Sequence, residues 1–176
     1  MPGSIIKEGY RSILNSAIIA IGSNLGDKRQ NCLQGINALD HMPDIEVTDR
    51  ARFYRTAPVD YTDQDWFVNT AIRIATNLEP GDLLTRLKQI ERESGRDRKT
   101  VRFGPRILDL DIIFFDALVL RTPTLEIPHP RMHKRRFVLA PICDIDPTAV
   151  HPALNIPVNA LLQAIDDPDQ DIELLP

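Results

Sequence analysis

Apolar residues in this chain cluster in short runs whose spacing switches between the two-residue period of a strand and the 3.6-residue period of a helix. Residues 17–21 form an unbroken apolar run ending at Gly22, which predicts a buried strand, and Gly22-Ser23-Asn24 predicts a turn. Residues 25–42 place Cys32, Ile36 and Leu39 on one helical face, with Leu33 beside them and charges opposite, until Pro43-Asp44 ends the helix. Residues 46–56 alternate in part and carry Val47, Phe53 and Tyr54, so they predict a strand. Residues 66–76, rich in aromatic and β-branched side chains, predict a second one. The two read as an antiparallel pair joined by an exposed loop over 57–65.

Pro80 suits the first turn of a helix, where its missing N–H costs nothing. Leu83, Leu84, Leu87 and Ile90 make the buried stripe of that helix, and Gly95 is placed to cap its C-terminus. Residues 96–106 are a polar, basic loop. Residues 107–115 predict the next strand, with 118–121 pairing onto it. Frequent prolines from Pro123 onward predict short helices and loops, with a last short helix over 159–165. The order is βαββαβ with a C-terminal extension, an α+β, ferredoxin-like arrangement in which helices pack on one face of an antiparallel sheet. Residues 1–15 lack a clear period and read as an N-terminal extension, leaving 16–176 as a single domain.

Composition narrows the class. The chain has 176 residues, 43% apolar and 26% charged, enough for one core and too hydrophobic for a disordered segment. A formal charge of −4 argues against a general nucleic-acid binder. Two cysteines, Cys32 and Cys143, do not make a disulfide framework and fit a reducing compartment. The longest apolar stretch, 107–120, is broken by Asp109, Asp111 and Asp116, and the N-terminus lacks a signal-peptide core. These features predict a cytoplasmic, membrane-free protein, and nothing in them demands more than a monomer.

Asp109 and Asp111 are the most informative pair. Two apart on a strand, their side chains point to one face, about 6–7 Å apart along the backbone, while Leu108, Leu110 and Ile112 point to the other. Adjacent like charges repel, and burial sharpens the repulsion. Two arrangements relieve it: a hard divalent cation such as magnesium, or pairing with nearby arginines. Directly before this strand lie Arg92, Arg96, Arg98, Lys99, Arg102 and Arg106, opposed in that stretch by Glu93 and Asp97. Guanidinium forks suit phosphate oxygens, and phosphoryl transfer is mostly positioning and charge neutralisation. Other chemistries find less support. There is no Walker-type phosphate loop, since Gly22-Ser23-Asn24-Leu25-Gly26 lacks the lysine and the spacing. His129 and His133 are four apart, but Pro130 follows His129 where a zinc helix needs Glu. No Gly-x-Ser-x-Gly elbow occurs. Phe103 sits in the basic loop, where an aromatic face and a polar group such as Asn69 could hold a flat heterocycle.

Several segments together resemble the 6-hydroxymethyl-7,8-dihydropterin pyrophosphokinases. The strongest is Gly95-Arg96-x-Arg98 followed by Arg102-Phe103-Gly104-Pro105-Arg106-Ile107-Leu108-Asp109-Leu110-Asp111-Ile112. Supporting segments are 20–26, 54–58, Asn69 and Ile127-Pro128-His129-Pro130-Arg131-Met132, so the likeness runs in order from about residue 17 to 155. The resemblance implies transfer of pyrophosphate from ATP to 6-hydroxymethyl-7,8-dihydropterin, a step toward folate. It implies that Asp109 and Asp111 hold two Mg2+ ions on the ATP phosphates and that Arg96 and Arg106 stabilise the transition state. It implies nucleotide contacts at Glu91, Arg98, Phe103, Ile112, His129 and Arg135. It implies a pterin pocket of Thr56, Pro58, Val59, Phe67, Asn69 and Phe137, with the ring between the two phenylalanines. The chain departs from the pattern at Phe103, where many members carry tryptophan, and at Ala57, where others carry proline. Two rival readings remain, a non-catalytic ligand-binding module of the same fold and an RNA-binding module. The first does not need paired aspartates beside an arginine loop, and the strands lack the aromatic pattern that the second would require.

Overall fold

The computed structural model describes residues 14–95 and 104–176. The chain runs through β1 (Asn15–Ser23), α1 (Lys28–Asp40), β2 (Ile45–Arg50), β3 (Tyr54–Thr56), β4 (Phe67–Thr76), α2 (Pro80–Glu93) and β5 (Asp109–Phe115). There follow β6 (Leu120–Arg121), β7 (Glu126–Ile127), a 3-10 turn at Met132–Lys134, α3 (Arg136–Ile145), β8 (Val150–His151), β9 (Ile156–Pro157), α4 (Val158–Gln163) and β10 (Ile172–Leu174). Six strands form the main sheet in the order β10-β3-β4-β1-β5, with β2 also on β4, and every pairing is antiparallel. Of the expected N-terminal extension, Leu14 and Asn15 are described, and Asn15 already opens β1, opposite Thr76.

The central strand β1 alternates cleanly. Ala17, Ile19 and Ile21 face a core built with Cys32, Ile36 and Leu39 of α1 and Leu83, Leu87 and Ile90 of α2. Each fully buried aliphatic side chain there contributes ~1.5–3 kcal/mol. Ile18 faces a second core with Val138, Leu139 and Ile142 of α3 and Val158 and Leu161 of α4. Helices therefore cover both faces of the sheet, where the sequence pattern predicted one. The stripe of α3 was hidden by Pro141 inside the helix and by the general abundance of proline after residue 123.

Local chemistry sets the element ends. The Asp27 carboxylate accepts from the Gln30 N–H at 3.0 Å, so α1 starts at Lys28 rather than at Leu25. Pro80 opens α2 as expected, and Gly95 follows it with φ +93, a left-handed conformation that glycine takes without strain. The single strand expected over 46–56 is two. The β2–β4 register shifts between Val47 and Asp49, and β3 resumes opposite Phe67, Val68 and Asn69. Residues 118–121 do not pair with β5. Asp116, at φ 45, bonds back to Ser16 through both its N–H and its carboxylate, which turns the chain off the sheet, and Leu120–Arg121 pairs with β7 instead.

Candidate active site

The second face of the sheet carries a cavity of about 250 Å3. Its floor is where the strands present their smallest side chains, Ala20 and Gly22 on β1. Asn69 stands opposite Gly22 on one side, and Asp109 stands opposite it on the other. An added Cβ at Gly22 would lie 2.5 Å from Asn69 Oδ1, so the missing side chain is what lets Asn69 sit over the floor.

At one end of the cavity lie Asp109 and Asp111 of β5, on the face opposite Leu108, Leu110 and Ile112, as alternation requires. Asp109 pairs with Arg106 at 2.6 Å. Burial, followed by the neighbouring Asp109, pushes the Asp111 carboxyl up to about 6. Arg106 is set by its backbone: its N–H donates to Asn24 Oδ1 at 2.8 Å, and its carbonyl accepts from the Asn24 N–H at 3.1 Å. The buried Asn24 also donates to Gln64 Oε1 at 2.9 Å and to the Asp65 carbonyl at 3.3 Å, tying the 57–66 loop to the start of β5. Glu91 is buried under the strand, where it accepts from Leu110 N–H and from Lys88 Nζ, both at 2.8 Å. Lys88 reaches past the edge strand β5 to line the cavity.

His129 lines the same end. Burial first, then Arg135 and Arg131, lower its imidazole to about 4, so it is neutral at pH 7. Its Nδ1 accepts from Arg131 N–H at 3.3 Å, which leaves the proton on Nε2 and makes that nitrogen a donor. Arg131 and Arg135 complete this wall, and both pair with Asp60 of the 57–66 loop at 3.0 Å.

The other end is aromatic and less charged. Phe67 of β4 and Phe137 of α3 line it with Val59, Thr56 and Asn69. Asn69 donates to Thr56 Oγ1 at 2.7 Å, which fixes the amide orientation and leaves its carbonyl oxygen to a partner. The Arg135 guanidinium lies 5.4 Å from the Phe137 ring centre, linking the charged wall to the aromatic one.

Residues 18–147 match the sequence profile of the 7,8-dihydro-6-hydroxymethylpterin-pyrophosphokinase (HPPK) family. The chain belongs to that family. It is 46% identical over 131 residues to the Bacillus subtilis 2-amino-4-hydroxy-6-hydroxymethyldihydropteridine pyrophosphokinase, covering 74% of this chain and 78% of that protein. It is 45% identical over 147 residues to the Dictyostelium discoideum folic acid synthesis protein FOL1, covering 84% of this chain and 22% of that much longer one. Its fold is similar to that of wild-type Plasmodium falciparum HPPK-DHPS solved with pteroate, with a TM-score of 0.69 at 15% identity, covering 85% of this chain and 42% of that one.

Of the residues the HPPK resemblance singled out, Thr56, Val59, Phe67, Asn69, Arg106, Asp109, Asp111, His129, Arg135 and Phe137 line one cavity. Arg96, Arg98 and Phe103 lie outside the described residues. Pro58, Glu91 and Ile112 are not part of the lining. The Ile112 side chain is packed in the core on the α1–α2 face, because its parity on β5 is that of Leu110. Glu91 acts from beneath, through Lys88 and the Leu110 amide. Among cavity residues, Asp60, Gln64, Lys88 and Arg131 were given no role from sequence. Lys88 carried a readable signal, a charge one position after the buried Leu87 and three before Glu91. Asp60 reads from sequence as one acid of an exposed loop, and Arg131 stands in the family-like segment 127–132 without a role of its own.

Proposed function

We propose that this chain transfers the pyrophosphoryl group of ATP to the hydroxymethyl group of 6-hydroxymethyl-7,8-dihydropterin, releasing AMP, as a step of folate synthesis. The observation that carries this reading is one cavity with paired carboxylates and guanidinium groups at one end and Phe67, Phe137 and Asn69 at the other. One end fits a polyphosphate and the other a flat, polar-edged ring.

The donor set suits a hard divalent cation. Asp109 and Asp111 share one face, and the proton affinity of Asp111 is raised by burial and by its neighbour, the condition a cation relieves. Among the described residues no group of three or more His, Cys, Asp and Glu could close a cage, which fits magnesium sharing its sphere between two protein carboxylates and substrate phosphates. Two such ions, when bound, would neutralise the triphosphate and polarise the transferred group.

The chain's own residues do the rest. Arg106, Lys88 and Arg135 supply positive charge for the triphosphate, with Arg96 and Arg98 as further candidates. Neutral His129 donates from Nε2 to a phosphate oxygen without adding to the local cation repulsion. The pterin ring stacks between Phe67 and Phe137, and the Asn69 carbonyl and Thr56 hydroxyl read its polar edge. The hydroxymethyl oxygen then faces the β-phosphorus. A new O–P bond forms there as the α–β bridge breaks, AMP leaves with the bridging oxygen, and the hydroxyl proton passes to solvent.

The same reading takes 16–176 as one ferredoxin-like domain acting as a cytoplasmic monomer. The order β5-β1-β4 with β2 and β3 on the far side of β4 supports the ferredoxin-like description. The test is a coupled AMP-release assay with and without the pterin. AMP should appear only with both substrates and magnesium, and Asp109→Ala or Asp111→Ala should abolish it while pterin binding persists. Near-normal turnover in both variants would overturn the assignment.

A further inference from the structure

The Asp60 carboxylate occupies a place that an anionic substrate would be expected to take. Arg131 Nη1 donates to both of its oxygens, Oδ1 and Oδ2, at 3.0 Å, and Arg135 Nη2 donates to Oδ2 at 3.0 Å. Two guanidinium groups converging on one pair of oxygens is the geometry these groups also adopt around a phosphate. All three residues line the cavity that holds Asp109, Asp111 and Arg106. The other described cavity cations rest against carboxylates on regular elements: Arg106 against Asp109 of β5, and Lys88 against Glu91 of α2. Asp60 differs in standing on a loop.

That loop is fastened on both sides of Asp60. The Ala57 N–H bonds the Asp171 carbonyl at 3.0 Å, and Gln64 and Asp65 accept from Asn24. Asp60 itself is held in the left-handed region, at φ 74, which glycine adopts more readily than a residue with a side chain. The paired arginines hold it there. A polyphosphate taking their donors would remove that hold and also repel the carboxylate.

We propose that Asp60 is a built-in competitor for the phosphate site: it holds Arg131 and Arg135 ready while the site is free, and a polyphosphate must displace it. This rests on the nucleotide assignment made above. Its consequence is a set point for affinity. The site binds polyanions more weakly than its guanidinium content allows.

The experiment measures binding of inorganic tripolyphosphate by calorimetry to the whole chain, in EDTA and without pterin, so that neither metal nor turnover contributes. Asp60→Asn keeps the size and tolerates the left-handed conformation, yet removes the charge. It should bind about tenfold more tightly than wild type, the scale of one partly buried charge-assisted pair. The gain should shrink in the Arg131→Ala background, where Asp60 has one partner fewer. Asp60→Gly, which relieves the backbone, should tighten binding as well and serves if the Asn variant folds poorly. Equal or weaker binding in the neutral variants overturns the inference, as does a gain undiminished by Arg131→Ala. Wild-type AMP release, scored separately, decides whether the proposed reaction stands.

Discussion

Gly22→Ala probes the floor of the cavity with one methyl group. The new Cβ would lie 2.5 Å from Asn69 Oδ1, well inside van der Waals contact. β1 cannot retreat, because it is bonded to β4 on one side and to β5 on the other. The Asn69 amide must therefore rotate, and it then loses its 2.7 Å bond to Thr56 in a site where Asn69 is only 7% exposed. Overpacking of this kind costs ~1–3 kcal/mol, and an orphaned buried polar pair costs ~1–3 kcal/mol more. Folding stability should fall by about 2–6 kcal/mol, read from urea unfolding. Pterin affinity should fall about 10- to 100-fold, because the polar-edge contact is worth ~1–3 kcal/mol and each 1.4 kcal/mol is tenfold. Tripolyphosphate affinity, read on the same samples, should barely change. The double variant Gly22→Ala/Asn69→Ala supplies the decisive arm. Removing the amide makes room for the methyl group, so stability should recover while pterin affinity stays low. Unchanged pterin affinity in the single variant, or a double variant less stable than the single one, would refute the steric argument.

Two further outcomes follow from the same geometry. Phe67→Ala should weaken pterin binding by about tenfold or more while leaving ATP binding close to wild type, as one lost aromatic face would do; equal losses for both ligands would reject stacking. The His129 imidazole, lowered from 6.5 to about 4 by burial and then by the two arginines, links folding to pH. Above pH 6.5 both states are neutral and stability is full. As pH falls from 6.5 toward 4 the unfolded chain takes up a proton that the native site refuses, so stability drops by up to about 3 kcal/mol and then levels off. In EDTA, His129→Gln should flatten that part of the stability–pH curve; parallel curves for variant and wild type would rule the linkage out.

Much of the fold was legible because local signals agreed. β1, β4 and β5 read as strands from β-branched runs, and α2 from Pro80, its leucine stripe and Gly95. The shared face of Asp109 and Asp111 followed from strand parity alone. What the sequence concealed lay in tertiary choices. The split between β2 and β3 depends on a register shift against β4, which no propensity records. The coverage of the second face depends on α3, whose internal proline reads locally as a breaker. The β10 strand packs onto β3 although its residues, Ile172 to Leu174, look like an ordinary tail. Within the site, the roles of Phe67 and His129 came from resemblance to a family, since a lone aromatic or imidazole carries little signal of its own, while Asn69 was singled out only as a polar group suited to a flat heterocycle. Asp60 and Arg131 stand 71 residues apart, and their meeting at 3.0 Å is a fact of the folded chain only.

The pairing of β1 with β5 steps by one residue between Ile18 and Ile19, so Ile18 faces Phe114, Ile19 faces Ile112, and Ile113 has no partner across the ladder. As a result Ile113 and Phe114 both enter the α3 core, while Ile112 and Phe115 lie on the other side. This surplus residue works as an expansion joint. Shortening the strand by one at position 113 would restore strict alternation and leave both acidic side chains where they are. Loss of Leu110, or insertion of one residue between Asp109 and Asp111, would instead put the two carboxylates on opposite faces of the sheet. Length variation in this strand is therefore tolerable at one spot, and the site's polarity depends on where such a change falls.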